Sequence, residues 1–234
     1  MAMPYIQDVA CPECGANTTV VLVESANAQR TPEIRASLLS GELHTGSCGE
    51  CNARFRVERD FLYTDLENGV LIGCFPQTRR GELSSLEEDL VRTWTETVKQ
   101  EMPRTLQASM AGPGPRIVFG LAELREKVIC FDAKLDDRLV EAMKLALLEG
   151  LPGREAAGVA DLALVAAHPD SEVLAFQPLD ADRMAVGEHL LEAPVAMYGD
   201  FWATRDNVKT LLPGLFEGLW VHHSRSRAGQ HLAQ

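Results

Sequence analysis

The chain has 234 residues, of which 46% are hydrophobic and 24% charged, and its formal net charge is −12. That balance predicts a packed core in one large domain or two modest ones and excludes general disorder. It also works against a nucleic-acid backbone as partner unless a local basic face exists.

Residues Tyr5 to Val9 read as a short strand that leads into Cys11-Pro12-Glu13-Cys14-Gly15, and the β-branched run Thr18 to Val23 leaves it, so the first cysteine turn sits on a hairpin. A short helix is expected over residues 31–41, with Thr31 as cap, Pro32 at the first helical position and Gly41 as terminator. Leu43 to Thr45 then enters a second turn, Cys48-Gly49-Glu50-Cys51-Asn52, and Ala53 to Arg59 leaves it with Phe55 and Val57 alternating against Arg54, Arg56 and Glu58. Strand, turn and strand follow over residues 61–76, with Asn68-Gly69 as the turn signal.

After Pro76 the period changes to that of a helix. Ser84 with Glu87, or Ser85 with Glu88, offers a capping box. Leu83, Leu86, Leu90, Trp94, Val98 and Met102 then form an amphipathic row ending near Pro103. Gly112 to Pro115 is a connector without the lysine of a phosphate loop, and a short strand covers residues 116–120. Helices are expected over Leu121 to Phe131 and Leu135 to Glu149, with Asp132 as cap of the second and Asp136 and Asp137 favouring its positive end. Leu162 to Ala167 and Val173 to Phe176 read as strands around the turn at 168–171. Val195 to Tyr198 and Asp206 to Leu212 are less regular elements, and the segment from His222 to Gln234 reads as a polar, frayed end.

The chemistry concentrates in Cys11, Cys14, Cys48 and Cys51. They form two C-x-x-C pairs with 33 residues, Gly15 to Ser47, between them. Thiolates are soft ligands, and four of them suit a tetrahedral ion with no open position, which makes such a site structural rather than hydrolytic. Gly15 and Asn52 follow the pairs, and both types accept positive φ, so each chain can turn away with its amides facing the sulfurs. Zinc is the default metal, and iron in a rubredoxin-like site uses the same paired knuckles. A thioredoxin-like role is disfavoured because a strand, not a helix, follows the first pair. Cys74 and Cys130 read as core residues. His44 is a further candidate ligand better explained as a structural or surface residue. His168, His189, His222, His223 and His231 share no metal spacing, and in a strand the adjacent His222 and His223 would face opposite ways. No nucleophile elbow is present, so no catalytic residue is assigned.

The first half resembles the CpXC family of bacterial proteins. Four stretches carry the likeness in order: Cys11-Pro12-Glu13-Cys14; Pro32-Glu33-Ile34-Arg35 through Glu42-Leu43; Cys48-Gly49-Glu50-Cys51; and Phe61 to Asp65. Residues Phe119 to Arg138 add to it. The second pair departs from the C-P-x-C form, with Gly49 in place of proline, which bears on loop stiffness alone. The resemblance implies a metal-binding module and supplies no reaction.

The sequence therefore predicts an α+β protein. A rubredoxin-like zinc ribbon over residues 1–76 precedes a helical part over 77–155 and a small α+β part over 156–234. The function expected is a structural zinc protein acting through protein–protein contacts, or as a homo-oligomer, with the row from Leu86 to Met102 as the contact surface. A rubredoxin-like electron carrier and a zinc-ribbon nucleic-acid or transcription factor are the alternatives; acidic residues outnumber the arginines of the ribbon, which makes nucleic acid the poorer partner. No stretch approaches ~18 consecutive apolar residues, and residues 1–8 lack the basic start and apolar run of a signal peptide, so neither a membrane span nor secretion is expected. Six cysteines then fit a reducing cytoplasm, where thiols serve metals rather than disulfides.

Overall fold

A computed structural model describes residues 4–108, 110, 112–154, 156–168 and 172–225, and the chain divides into two compact units, 1–125 and 126–234. It combines helices and sheets, as the α+β expectation requires. No helix among the described residues is long and apolar enough to cross a membrane.

In the first unit, β1 (Tyr5–Ala10) and β2 (Asn17–Leu22) pair antiparallel with Ile6 opposite Val21. Thr18, Val20 and Leu22 turn inward and the residues between them face out, the period of a half-buried strand. Beyond β3 (Ser25–Asn27) comes α1 (Pro32–Ser40), which ends on Gly41 at φ 80°, where the Gly41 N–H donates to the Leu38 carbonyl and the Glu42 N–H to that of Ser37. Thr31 stands at the N-cap position as expected, but its side chain makes no cap hydrogen bond. Its hydroxyl instead donates to the Asn27 carbonyl and accepts the Asn27 N–H, so it closes the preceding turn. A second small hairpin follows, β4 (Thr45–Ser47) with β5 (Arg54–Arg56).

The larger sheet of this unit holds β3, β6 (Phe61–Asp65), β7 (Val70–Phe75) and, after the helices, β8 (Gly114–Phe119), in the order β3-β6-β7-β8. Only the β6–β7 pair is antiparallel. A 3₁₀ turn over Gln77–Glu82 leads into α2 (Leu83–Trp94). Neither capping box forms: the residue preceding the helix is Glu82, and the Ser85 hydroxyl donates to its carbonyl. From Thr95 to Glu101 the winding widens to π-helix. Just before this change the Thr93 hydroxyl bonds the Asp89 carbonyl, a competition for helix acceptors that bends and loosens a turn. Leu86 and Leu90 are buried, and a Cβ added at Gly73 of β7 would lie 3.4 Å from Leu90 Cδ2. The start of the apolar row therefore faces the unit's own sheet, while Trp94 and Met102 further along it are half-buried. After the four-residue helix α3 (Arg104–Gln107), β8 starts within the expected connector.

Helix α4 (Leu121–Asp132) spans the division between the units. The next helix, α5 (Asp137–Gly150), is capped by Asp136, whose carboxylate accepts the Arg138 N–H at 2.9 Å, while Asp132 still belongs to α4. In the second unit β9 (Asp161–His168), β10 (Val173–Leu179) and β11 (Leu191–Pro194) form an antiparallel sheet with β10 in the centre. Of the turn expected at 168–171, His168 belongs to β9 and the other three residues lie outside the described residues. Leu162, Leu164, Leu174 and Phe176 pack against Leu139, Met143 and Leu148 of α5 in one apolar core. The less regular elements prove to be helices, α6 (Val195–Ala203) and α7 (Arg205–Leu211). The Tyr198 hydroxyl accepts the Asp136 N–H at 2.8 Å, which ties α6 to the start of α5.

The two hairpins of the first unit meet at a glycine. A Cβ at Gly46 of β4 would lie 2.6 Å from Val20 Cγ2 of β2 and 3.4 Å from Phe55. Gly46→Val is expected to push the hairpins apart and destabilise this unit by about 1–3 kcal/mol, the usual effect of overpacking. Its unfolding midpoint, followed by hydrogen exchange at Val20 and Val57, should fall while the second unit keeps its own. An unchanged midpoint would show that the hairpins do not depend on this close approach.

Candidate metal centre

The hairpins exist to turn, and each turn carries a cysteine pair. The two turns follow one backbone path. The Cys11 carbonyl accepts the Gly15 N–H at 2.9 Å, and the Cys48 carbonyl accepts that of Asn52 at 3.0 Å. The Cys11 N–H donates to Ala16 O at 2.8 Å, and the Cys48 N–H to Ala53 O at 2.9 Å. Gly15 stands at φ 74° and Asn52 at φ 59°, the conformation expected of both.

This geometry brings all four sulfurs within 4.8 Å of one another. Cys11 Sγ is 3.7 Å from Cys51 Sγ, and Cys14 Sγ is 3.6 Å from Cys48 Sγ. Four thiolates bound at ~2.3 Å to one tetrahedral ion have sulfur–sulfur edges of about 3.8 Å, so the donor set fits a single zinc-sized ion. A disulfide needs ~2.05 Å, and all four cysteines are free. Cys11 and Cys48 are buried, while Cys14 and Cys51 reach the surface.

Electrostatics shows why the sulfurs favour a shared cation. The amides of Cys51 and Glu50 donate to the Cys48 thiolate and draw its pKa down to about 6. Cys51 also receives an amide, from Ala53, but crowding by Cys14, burial and the sulfurs of Cys11 and Cys48 push it up to about 12. One thiolate held by amides thus suppresses ionisation of its neighbours. A divalent ion at the centre would ease that conflict, because each thiolate would then face a cation, with two of the four negative charges left over.

His44 is not part of the sulfur cluster. It is buried, its Nε2 accepts the Val23 N–H at 3.1 Å, and its ring meets Phe61 edge-on at 5.7 Å. Burial lowers its pKa, consistent with a neutral acceptor that braces β2. Cys74 and Cys130 are buried as expected, and burial pushes both thiols well above their ordinary value. His189 is exposed, and His231 lies outside the described residues. An open cleft in the first unit, lined among others by Tyr5, Glu58, Arg59, Phe75 and Arg79, has no histidine or cysteine in its wall.

The second unit holds a group of charges that the sequence reading did not find. Glu126 and Lys127 of α4, Asp137, Glu141 and Lys144 of α5, and Asp161 of β9 are all buried. Lys144 Nζ lies 2.9 Å from Glu126 Oε1 and 3.0 Å from Glu141 Oε1, and Lys127 Nζ lies 3.1 Å from Asp137 Oδ2. Burial alone would raise the Glu141 carboxyl, but Lys144, His223 and Lys127 hold it well below the carboxylate range. His222 and His223 join this network, which corrects both expectations for them. They are buried rather than frayed, and their rings stack at 4.5 Å rather than facing opposite ways. Asp137, Glu141 and Lys144 stand at spacings of four and three on α5, and nothing local distinguishes a buried charged face from a solvated one. The doublet after the apolar Trp220-Val221 was the available signal.

Two matched cysteine turns on hairpins converge at the edge length of a tetrahedral thiolate site, a cluster that could hold one metal ion. The model of the CpXC protein family matches residues 9–144, more than half of the chain, and the chain belongs to that family. No curated protein and no solved structure matches it.

If the ion cross-links the two turns, its loss should open the first unit selectively. Treated as a disulfide would be, a cross-link closing a loop of this length contributes about 4 kcal/mol. Cys48→Ser is therefore expected to abolish hydrogen-exchange protection around Val20 and Val57 while the helices of the second unit remain protected. Equal protection in the variant and the parent would contradict this.

Proposed function

We propose that this protein is a structural zinc protein, with one zinc ion held by Cys11, Cys14, Cys48 and Cys51, and that it acts through protein–protein contacts without catalysis. The observation that carries the reading is the sulfur geometry: 3.6 and 3.7 Å edges suit a closed four-thiolate ion, which has no position left for substrate or water. When bound, zinc supplies a rigid cross-link and no redox chemistry.

The contact surface we propose is the outer face of the ribbon's first hairpin. Ile6 and Val21 are opposite one another in register and are 71% and 58% exposed, an apolar pair on a two-stranded sheet. The basic residues nearby support a protein partner over nucleic acid. Arg54 is ion-paired with Glu42, which reduces the positive charge this face offers a phosphate. A reducing compartment such as the cytoplasm would keep the four thiols available.

A rubredoxin-like iron site is the second reading, favoured by one observation: Cys14 and Cys51 are exposed, and electron transfer needs such an edge at the surface. Metal analysis with a visible spectrum separates the two. Purified protein is expected to be colourless with zinc at the cysteines, whereas red protein containing iron would overturn zinc in favour of the carrier. For the contact face, light scattering at micromolar concentration should show self-association that Ile6→Lys with Val21→Lys abolishes. A monomeric parent would remove self-association from the reading.

A further inference from the structure

We propose that Glu141, His222 and His223 form a second metal site, for a divalent first-row ion with zinc as the default. These residues are not cysteines, two of the three lie beyond the 9–144 family match, and all belong to the second unit. The inference is independent of the four-sulfur centre.

The donor set is one carboxylate and two imidazoles, a combination that binds zinc and its neighbours in the series. One ligand atom from each lies within 4.8 Å of the others, and all three residues are buried. Nitrogen and oxygen donors at about 2.0–2.2 Å from one ion stand up to roughly 4.4 Å apart, so small side-chain movements close the set. The approach is already directed. His223 Nδ1 is 3.1 Å from Glu141 Oε2 and 3.5 Å from Asp161 Oδ1, and His222 Nε2 is 3.4 Å from Asp161 Oδ2. Both imidazoles thus aim a nitrogen at carboxylate oxygen, with Asp161 placed to serve as a further ligand.

Lys144 binds Oε1 of Glu141 and leaves Oε2 facing His223. The His222 Nδ1 atom accepts the Ser224 N–H at 3.2 Å and is 2.9 Å from the Ser224 hydroxyl, which holds the ring with Nε2 toward Asp161. An ion at Nε2 takes the place of the proton that this nitrogen turns toward the carboxylate.

Charge in the network bears on the site as well. Among the described residues, the carboxylates of Glu126, Asp137, Glu141 and Asp161 are set against the cations Lys127, Lys144 and Arg183. Arg183 is the least buried of the three cations, its side chain 17% exposed, and both lysines are nearly inaccessible. Its Nη1 lies 2.6 Å from Asp161 Oδ2 and 3.3 Å from His222 Nε2, where it occupies the approach of an ion to that nitrogen. Exchange of this guanidinium for a divalent ion leaves these four carboxylates against two lysines and two metal charges. Arg183 is then the competitor that the ion displaces outward.

Cobalt(II) titration of the full chain tests the site, because its two centres differ in spectrum. Two ions per chain are expected: one with intense thiolate-to-cobalt charge transfer, one with only weaker visible bands of nitrogen and oxygen ligation. His222→Ala and His223→Ala should each lose the second ion and keep the thiolate bands. Arg183→Ala, at the exposed edge of the network, should keep the fold and bind the second ion more tightly than the parent. A parent chain that takes up no ion with nitrogen–oxygen bands overturns the proposal, whatever happens at the cysteines. So does second-ion binding that survives both histidine replacements, or an affinity unchanged by Arg183→Ala, which also covers the case in which the histidine variants do not fold.

Discussion

Four sulfurs from two turns, separated by the 33 residues Gly15 to Ser47, must meet at one point, and the rest of the first unit is arranged to let them. Each turn needs a hairpin to hold it, and neither hairpin has a core of its own: one has two strands of six residues, the other two of three. What joins them is the Val20 side chain against the bare Gly46 backbone and the His44 ring under Val23. These contacts are small beside the ~10–16 kcal/mol of apparent binding free energy available from a structural zinc ion in a small domain. In our account the ion does for the ribbon what a core does for a larger domain.

The second unit solves the same problem differently. It has a continuous apolar core between α5 and its three-stranded sheet, and it buries charge beside that core. Lys144 bridges Glu126 and Glu141, Lys127 donates to the Val221 carbonyl, and the Leu164 N–H donates to Glu126. Apart from the Lys144–Glu141 pair within α5, each bond joins two different elements, so the network ties α4, α5, β9 and the segment at 221–223 together. Removing a single partner from such a network typically costs 3–5 kcal/mol, because another charge is left buried and unpaired. Buried charges of this kind favour one arrangement over its alternatives.

How much of this was legible depended on the range of the interaction. The cysteine turns were readable because their chemistry is local: two residues between ligands, then Gly15 or Asn52 at positive φ. The hairpins around Cys11 and Asn68-Gly69 followed from alternation and turn residues, and the burial of Cys74 and Cys130 from their apolar neighbours and the habit of free cysteine to sit in cores. Caps were read less well. Thr31, Ser84, Ser85 and Asp132 all had the right chemistry, but Thr31 was taken by Asn27, Ser85 bonded the Glu82 carbonyl, and Asp136 stood closer to the true start of α5. The burial of Lys144, Glu141 and His223 was not legible, because it depends on pairings across 18 and 82 residues of chain that no local pattern records.

The central claim is that one ion is held by four thiolates and nothing else. X-ray absorption at the zinc edge, on the full chain loaded with a single equivalent of zinc, tests it most directly. The account predicts four sulfur neighbours at about 2.3 Å and no lighter atom in the first shell. A first shell containing nitrogen or oxygen in place of any sulfur would contradict it.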